Sequence, residues 1–313
     1  MRRNSGSLAL VDERSREDRS LGTSIAVVGP GAVGSTVAAR LHTAGYSVVL
    51  CGRTFRDHLD VRPDGSDPII VGGPVHTDPA ELSGPVDLVL LAVKATQNDE
   101  AARWLAVLCD ENTTVCVLQN GVEQVDQVQP HCPRSTVVPG IVWFPAETQP
   151  GGWVRLRGEP RVTLPASAVF VAGVLGAAGC VVTRAADFTT EAWRKLLVNA
   201  LAGLEVLTGR RSGMFRRDDI AALARSYLRE CLAVARAEGA DLDDRAVEEM
   251  VDMFRRAPDD MGTSMLVDRE AQRPLEWDVR NGVIVRKARI HGLPVPISEV
   301  VVPLLAAASD GPG

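Results

Sequence analysis

Residues 191–209, EAWRKLLVNALAGLEVLTG, have the spacing of a helix that is apolar on nearly every side, yet the segment carries Lys195 and Asn199. Positions four apart share one helix face, so an ammonium and an amide stand one above the other. They lie beside an apolar stripe of Trp193, Leu197, Leu201 and Leu204. Burying an ammonium without a partner is expensive. Either the side chain runs along its methylene stem to water, or it faces a polar cavity. In a cavity it can stabilise a developing oxyanion and hand over a proton. A second stretch, 262–296, favours the cavity. It offers Ser264 on an expected loop and Glu276 near the start of an expected long helix. The helix dipole suits a carboxylate there, and a glutamate at such a place is also common as plain helix stabilisation.

A different chemistry is written near the front of the chain. IAVVGPGAVGSTVAARL sets Gly29, Gly31 and Gly34 as G-x-G-x-x-G, directly after a strand and opening a helix, with Pro30, Ala32 and Val33 between them. The first glycine permits the tight turn, the second lets a pyrophosphate approach the backbone, and the third packs helix on strand. The helix N-terminus supplies N–H groups and positive potential. Dinucleotide binding is the expectation. The following strand ends VVLCGR, with Arg53 where a diphosphate-only cofactor would meet an acid for its ribose hydroxyl. A guanidinium there can pair with a 2′-phosphate and stack on adenine, which selects NADPH over NADH. Two more loops follow strands: VKATQ, with Lys94 and Gln97, and LQNGV, with Asn120 and Gly121. Singly, each reads equally well as a solvated strand end or an ordinary turn. Together, beside a phosphate loop, they favour function.

The elements that must carry these residues alternate from residue 23 onward. Short apolar strands and helical stretches follow one another, and PVDLVLLAVK is apolar throughout, as a strand buried on both faces would be. That alternation predicts an α/β fold with a parallel, doubly wound, Rossmann-type sheet. Short β-like runs at 137–144, 153–157 and 161–164 are assigned to a sheet edge. After about 187 the β signal stops, and helices are expected at 188–207, 219–238, 244–256, 275–291 and 297–308. Gly292 closes the fourth, with prolines after it. The expected organisation is an extension without fixed structure over 1–22, a nucleotide-binding domain over 23–186, an all-helical substrate and catalytic domain over 187–308, and a tail over 309–313.

Composition narrows the classes. With 313 residues, 45% apolar and 24% charged, the chain can build real cores, and general disorder is excluded. A net charge of −6 offers no basic stripe for nucleic acid. Six scattered cysteines form no metal-ligand pattern, and in a chain of this length they read as reduced core thiols. The longest apolar run, 168–182, is interrupted by three glycines and is shorter than the roughly 20 residues a spanning helix needs. No metal, no membrane and a cytosolic location are expected.

The chain resembles the ketopantoate reductase family (2-dehydropantoate 2-reductases). The resemblance rests on GPGAVGS, CGR, VKATQ, LQNGV, WRKLLVNAL, TSMLVDREAQRPLEWDVRNG and ARIHGLPVP, in family order and spacing over about 23–308. It implies NADPH-dependent reduction of a 2-oxo acid, ketopantoate to pantoate in pantothenate biosynthesis. It also implies Lys195 as catalytic lysine, Glu276 as the glutamate of the substrate site, and Asn120, Asn199 and Ser264 as substrate-binding positions. Gly29, Gly31, Gly34, Arg53, Lys94 and Gln97 fall on the cofactor side, with Asn120 shared, and the cleft is expected between the domains. A monomer or homodimer fits.

One departure bears on the substrate. The family helix usually carries a second asparagine one turn beyond the first, where Ala202 and Gly203 stand here. A site without that amide can hold a different 2-oxo acid. Two other readings stay open: a β-hydroxyacid or imine reductase on the same plan, and a catalytically silent NADPH-binding protein.

Overall fold

The computed structural model describes residues 22–311, so the expected extension over 1–22 lies, but for its last residue, outside the described residues. The chain divides into two compact units. One takes the described residues up to Gln119 together with Gln124–Ala186, and the other takes Asn120–Glu123 together with Asp187 onward.

The first unit is α/β. Its main sheet contains β1 (Ile25–Val28), β2 (Val48–Cys51), β5 (Val75–His76), β6 (Leu88–Leu91), β7 (Thr114–Val117) and β8 (Thr136–Pro139). Their order is β5-β2-β1-β6-β7-β8, and every pairing is parallel. This is the doubly wound order, with its crevice where the winding reverses at β1 and β6. Two packed faces explain the unbroken apolar strands. Ile25, Val27, Leu88 and Leu90 enter one core, whereas Ala26, Val28, Val89 and Leu91 enter another. Helix α1 (Ala32–Thr43) supplies Val37, Ala38 and Leu41 to the first core. Helix α2 (Asn98–Leu108) supplies Trp104, Leu105 and Leu108 to the second.

The β-like runs assigned to one sheet edge divide among three sheets. Of these runs, only β8 lies at an edge of the main sheet, whose other edge is β5. A four-stranded sheet orders β10 (Ala146–Thr148), β11 (Val154–Leu156), β3 (His58–Pro63) and β4 (Ile69–Gly72). A third sheet orders β13 (Val181–Ala185), β12 (Arg161–Pro165) and β9 (Ile141–Val142). Leu59, Val61, Val154 and Leu156 pack into the same core as α1, and that burial recruits these strands away from the main sheet's edge. A short helix α3 (Gln124–Val128) precedes β8, and α4 (Val169–Ala177) covers much of the apolar run that ends in β13.

The regular elements of the second unit are helices: α5 (Phe188–Thr208), α6 (Asp218–Ala237), α7 (Arg245–Arg256), α8 (Ser264–Glu270), α9 (Val283–His291) and α10 (Pro296–Asp310). Asp187 caps α5 by accepting from the Thr190 N–H at 3.0 Å. Gly292 closes α9 at φ 64°, in the left-handed conformation that glycine adopts freely. Trp193, Leu197, Leu201 and Leu204 all enter this unit's core, so α5 is buried along the stripe read from its sequence. Ser264 is not on a loop: it opens α8. A π-helical turn, Asp278–Gly282, leads directly into α9. No helix among the described residues is long and apolar enough to cross a membrane.

Candidate functional site

In the α/β unit the glycine loop runs from the end of β1 into α1. Gly29 has φ 90°, and a Cβ there would lie 2.5 Å from the Val93 side chain. A Cβ on Gly34 would come within 2.3 Å of the Gly29 carbonyl oxygen. These two glycines are therefore required by the protein's own packing. Gly31 is different. It caps α1, and a Cβ on it would meet nothing within 4 Å. The open space beside Gly31, at a helix N-terminus with no acidic residue in its first turn, fits a pyrophosphate. Ser35 fixes the loop by donating from its hydroxyl to the Pro30 carbonyl at 2.9 Å.

Arg53 stands just past β2, with its side chain 67% exposed and 3.5 Å from the equally exposed carboxylate of Glu100. A surface pair of this kind contributes little to stability. With the Gln97 amide oxygen turned toward it, Arg53 also donates from both terminal nitrogens, at 3.1 and 2.9 Å. Lys94 and Gln97 bracket a single 3₁₀ turn after β6. Arg56 is a cation that the sequence reading missed. It donates to the Pro30 carbonyl of the glycine loop at 3.2 Å. Its spacing, three residues after Arg53 on the same connection, was the available signal. Arg53, Arg56 and the loop form a positive rim suited to a phosphorylated ribose.

The helical unit holds a polar cluster in which Asn199, Glu276 and Arg280 are buried, Asn120 and Lys195 are half-buried, and Ser264 reaches the surface. Asn199, 7% exposed, donates through Nδ2 to Asn120 Oδ1 at 3.2 Å. Asn120 in turn donates through Nδ2 to Glu276 Oε2 at 3.2 Å. The same carboxylate oxygen accepts from Arg280 Nη2 at 3.0 Å, and that nitrogen also donates to Ser264 Oγ at 3.1 Å. Four of the residues read from the sequence are thus joined into one chain of hydrogen bonds, with Arg280 as the link to the fourth. Lys195 lies one turn before Asn199 on α5, close enough to Arg280 to feel its charge. Burial, and secondarily the Arg280 guanidinium, push the Lys195 ammonium down to about 8.

Local structure explains the convergence. Asn120 belongs to a short segment held against the helical unit. Arg286 donates to Glu123 Oε2 at 2.7 Å and pairs with Asp278 through its other terminal nitrogen. At Gly121, φ is 112°, and a Cβ would press against Val279 at 3.3 Å, so only glycine sits easily there. The π-helical turn widens the backbone between Glu276 and α9, and it is this turn that carries Arg280 and Asn281. On α5, the space a side chain at Gly203 would need is filled by Asn281, whose Nδ2 would be 2.9 Å from such a Cβ. Asn281 donates to the Ala200 carbonyl at 3.0 Å and to the Tyr227 hydroxyl at 2.9 Å. The absence of a side chain at Gly203 thus leaves room for the Asn281 amide of the π turn. Arg280 and Asn281 were both missed in the sequence. Arg280 could have been found from its position one helical turn after Glu276.

Comparison with known proteins is consistent over both units. Residues 25–168 match the family Ketopantoate reductase PanE/ApbA, and residues 187–309 match its C-terminal counterpart, Ketopantoate reductase PanE/ApbA C terminal. The chain is 69% identical over 295 residues to the 2-dehydropantoate 2-reductase of Mycobacterium tuberculosis strain H37Rv, covering 94% of this chain and 100% of that protein. It is 38% identical to the enzyme of the same name from Caulobacter vibrioides, over 92% of this chain and 99% of that one. Among solved structures, a dimeric ketopantoate reductase from Staphylococcus aureus superposes with a TM-score of 0.84 at 26% identity, covering 93% of this chain and all of that one.

Proposed function

The chain belongs to the ketopantoate reductase family, and on that premise we propose that it reduces ketopantoate (2-dehydropantoate) to pantoate, with NADPH as hydride donor and Lys195 as proton donor. It is an oxidoreductase acting on a CH–OH group, and its product is a precursor of pantothenate. Bound NADPH supplies the hydride to the ketone carbon. Gly29, Gly31 and Gly34, with the α1 N-terminus, hold the pyrophosphate. Arg53 and Arg56 take the 2′-phosphate, and Lys94 and Gln97 flank the same rim.

On the helical unit, Lys195 Nζ gives its proton to the ketone oxygen as negative charge grows there, and afterwards recovers one from solvent. The sum is one 2-oxo acid, one NADPH and one proton giving one 2-hydroxy acid and one NADP+. Asn199 and Asn120 orient the reacting oxygens, Glu276 fixes the amide of Asn120, and Ser264 holds the substrate's polar end. The observation that carries this reading is the hydrogen-bonded series Asn199–Asn120–Glu276–Arg280–Ser264 beside a lysine whose proton is unusually labile.

The test is loss of NADPH absorbance with ketopantoate beside simpler 2-oxo acids, each repeated with NADH. The panel is warranted because Gly203 presents no side chain and Asn281 fills its place. Ketopantoate with NADPH is expected to give the highest kcat/KM, and Arg53→Ala is expected to erode the preference for NADPH. A wild-type preference for NADH, or for a simpler 2-oxo acid, would overturn the corresponding half.

A further inference from the structure

Glu205 stands on α5 about three helical turns beyond Lys195 and is fully buried. Its neighbours in sequence, Leu204 and Val206, enter the core of the helical unit. A carboxylate in such a place costs free energy unless hydrogen bonds replace its water. Two donors do so here, and they come from two different segments. Ser212 Oγ, in the 3₁₀ turn Ser212–Arg216, donates to Glu205 Oε1 at 2.8 Å. The Thr263 N–H donates to Glu205 Oε2 at 3.2 Å, and Thr263 holds the N-cap position of α8, directly before Ser264. The two segments also clasp each other. The Ser212 N–H donates to the Met261 carbonyl at 2.9 Å, and the half-exposed Arg211 and Glu270 pair at 2.7 Å. Those contacts do not reach α5, whereas the Glu205 carboxylate does. Met265 and Leu266 bury α8 in the same core, but apolar burial is non-directional and fixes no register.

From this arrangement we infer that Glu205 is a positioning residue: its buried carboxylate sets the start of α8, and so Ser264, at a fixed place relative to Lys195 and Asn199. The inference rests on the reductase reading, in which Ser264 holds the substrate's polar end. Lys195, Asn199 and Glu205 share one unbroken helix, so an anchor on Glu205 places Ser264 in the frame of the other two. Ser264 itself is exposed, and the backbone one residue earlier decides where its hydroxyl stands. An apolar residue at 205 would fill the core but strand the Thr263 N–H and the Ser212 hydroxyl. A glutamine keeps the geometry. Its amide oxygen accepts from Thr263, and its amide nitrogen donates to Ser212 Oγ, whose own proton rotates away.

The test is steady-state kinetics with ketopantoate and NADPH for the wild type, Glu205→Gln, Glu205→Met, Ser264→Ala and the double variant Glu205→Met/Ser264→Ala. Hydrogen exchange at the Thr263 amide is measured on the same proteins. Glu205→Met is expected to raise KM for ketopantoate by about tenfold, with kcat and KM for NADPH within about twofold of the wild type. Glu205→Gln is expected to restore KM to within about threefold, since the anchor survives. Thr263 exchange should accelerate in Glu205→Met and not in Glu205→Gln. In the Ser264→Ala background the KM effect of Glu205→Met should largely disappear, because Ser264 is the group through which Glu205 acts. Additive effects in the double variant, a wild-type KM in Glu205→Met, or a glutamine no better than methionine would overturn the inference. So would an equal loss of kcat and NADPH affinity, the mark of a purely structural role. If Glu205→Met does not fold, Glu205→Ala is read the same way. Absence of ketopantoate turnover by the wild type would refute the reductase reading, whereas the anchor itself stands or falls on Thr263 exchange, which needs no substrate.

Discussion

In the proposed reaction Lys195 is the proton donor, and its proton affinity makes that role testable by pH alone. Burial and Arg280 bring its ammonium from an ordinary 10.5 to about 8. Ketone reduction consumes the protonated form, so kcat/KM for reduction should be level below pH 8 and fall above it, while oxidation of the hydroxy acid should gain over the same range. A rate profile that stays flat to pH 10 would contradict this. The same shift has a stability consequence of opposite sense. Between about 8 and 10.5 the unfolded chain binds the Lys195 proton more tightly than the folded one, so the stability contributed at this site rises with pH across that window. Below pH 8 the cost of the buried charge is fully present. In Lys195→Met, that pH-dependent increment in denaturant midpoint should vanish. Much of this residue chemistry was legible in the sequence. Lys195, Asn199, Asn120, Ser264 and Glu276 are polar groups in otherwise apolar or turn-like settings, and the structure links the last four. Arg280 escaped notice because an arginine one turn after a glutamate reads as a solvated helix pair until its burial is known.

At the scale of elements, what the sequence could show and what it could not separate cleanly by period. The strands and the long helices α5, α6, α7 and α10 follow from apolar spacing, and the left-handed close of α9 follows from Gly292. The π turn over Asp278–Gly282 and the short helix α8 do not, because neither is long enough to impose a period. The pairing of β3, β4, β10 and β11 was also beyond reach, since it joins segments about ninety residues apart that are short and weakly patterned. Two glycines test the element-level account in opposite directions. Gly31 has open space where a Cβ would go, so Gly31→Ala should leave the melting temperature of the ligand-free protein nearly unchanged and weaken NADPH by about tenfold or more. Equal NADPH affinity in that variant would remove the pyrophosphate from this loop. Gly203 has no such space, and Asn281 is held in place by the Ala200 carbonyl and the Tyr227 hydroxyl. Gly203→Ala should therefore cost about 1–3 kcal/mol of stability through overpacking, read as a lower denaturant midpoint. An unchanged midpoint would mean that the π turn yields more readily than its hydrogen bonds suggest.

For the whole molecule, the division of labour matches the division of the chain. An α/β unit carries the glycine loop and the cations Arg53 and Arg56, and a helical unit carries Lys195, Glu276 and the amides of Asn120 and Asn199. The segment Asn120–Glu123 is the exception. It follows β7 of the sheet in sequence, yet packs with the helices, so the Asn120 amide of the polar cluster is supplied from within the first half of the chain. No period or composition marks that transfer. It depends on Arg286 and Val279, more than 150 residues away. If the α/β unit binds NADPH independently of the proton donor, a variant can lose chemistry and keep cofactor. The direct measurement is therefore Lys195→Ala: NADPH affinity by fluorescence titration, and NADPH oxidation with saturating ketopantoate, both beside the wild type. The expected result is an unchanged NADPH affinity with kcat lower by roughly a thousandfold, within the range for loss of a general acid. A Lys195→Ala protein that still turns over ketopantoate at near wild-type rate would contradict the account at its centre.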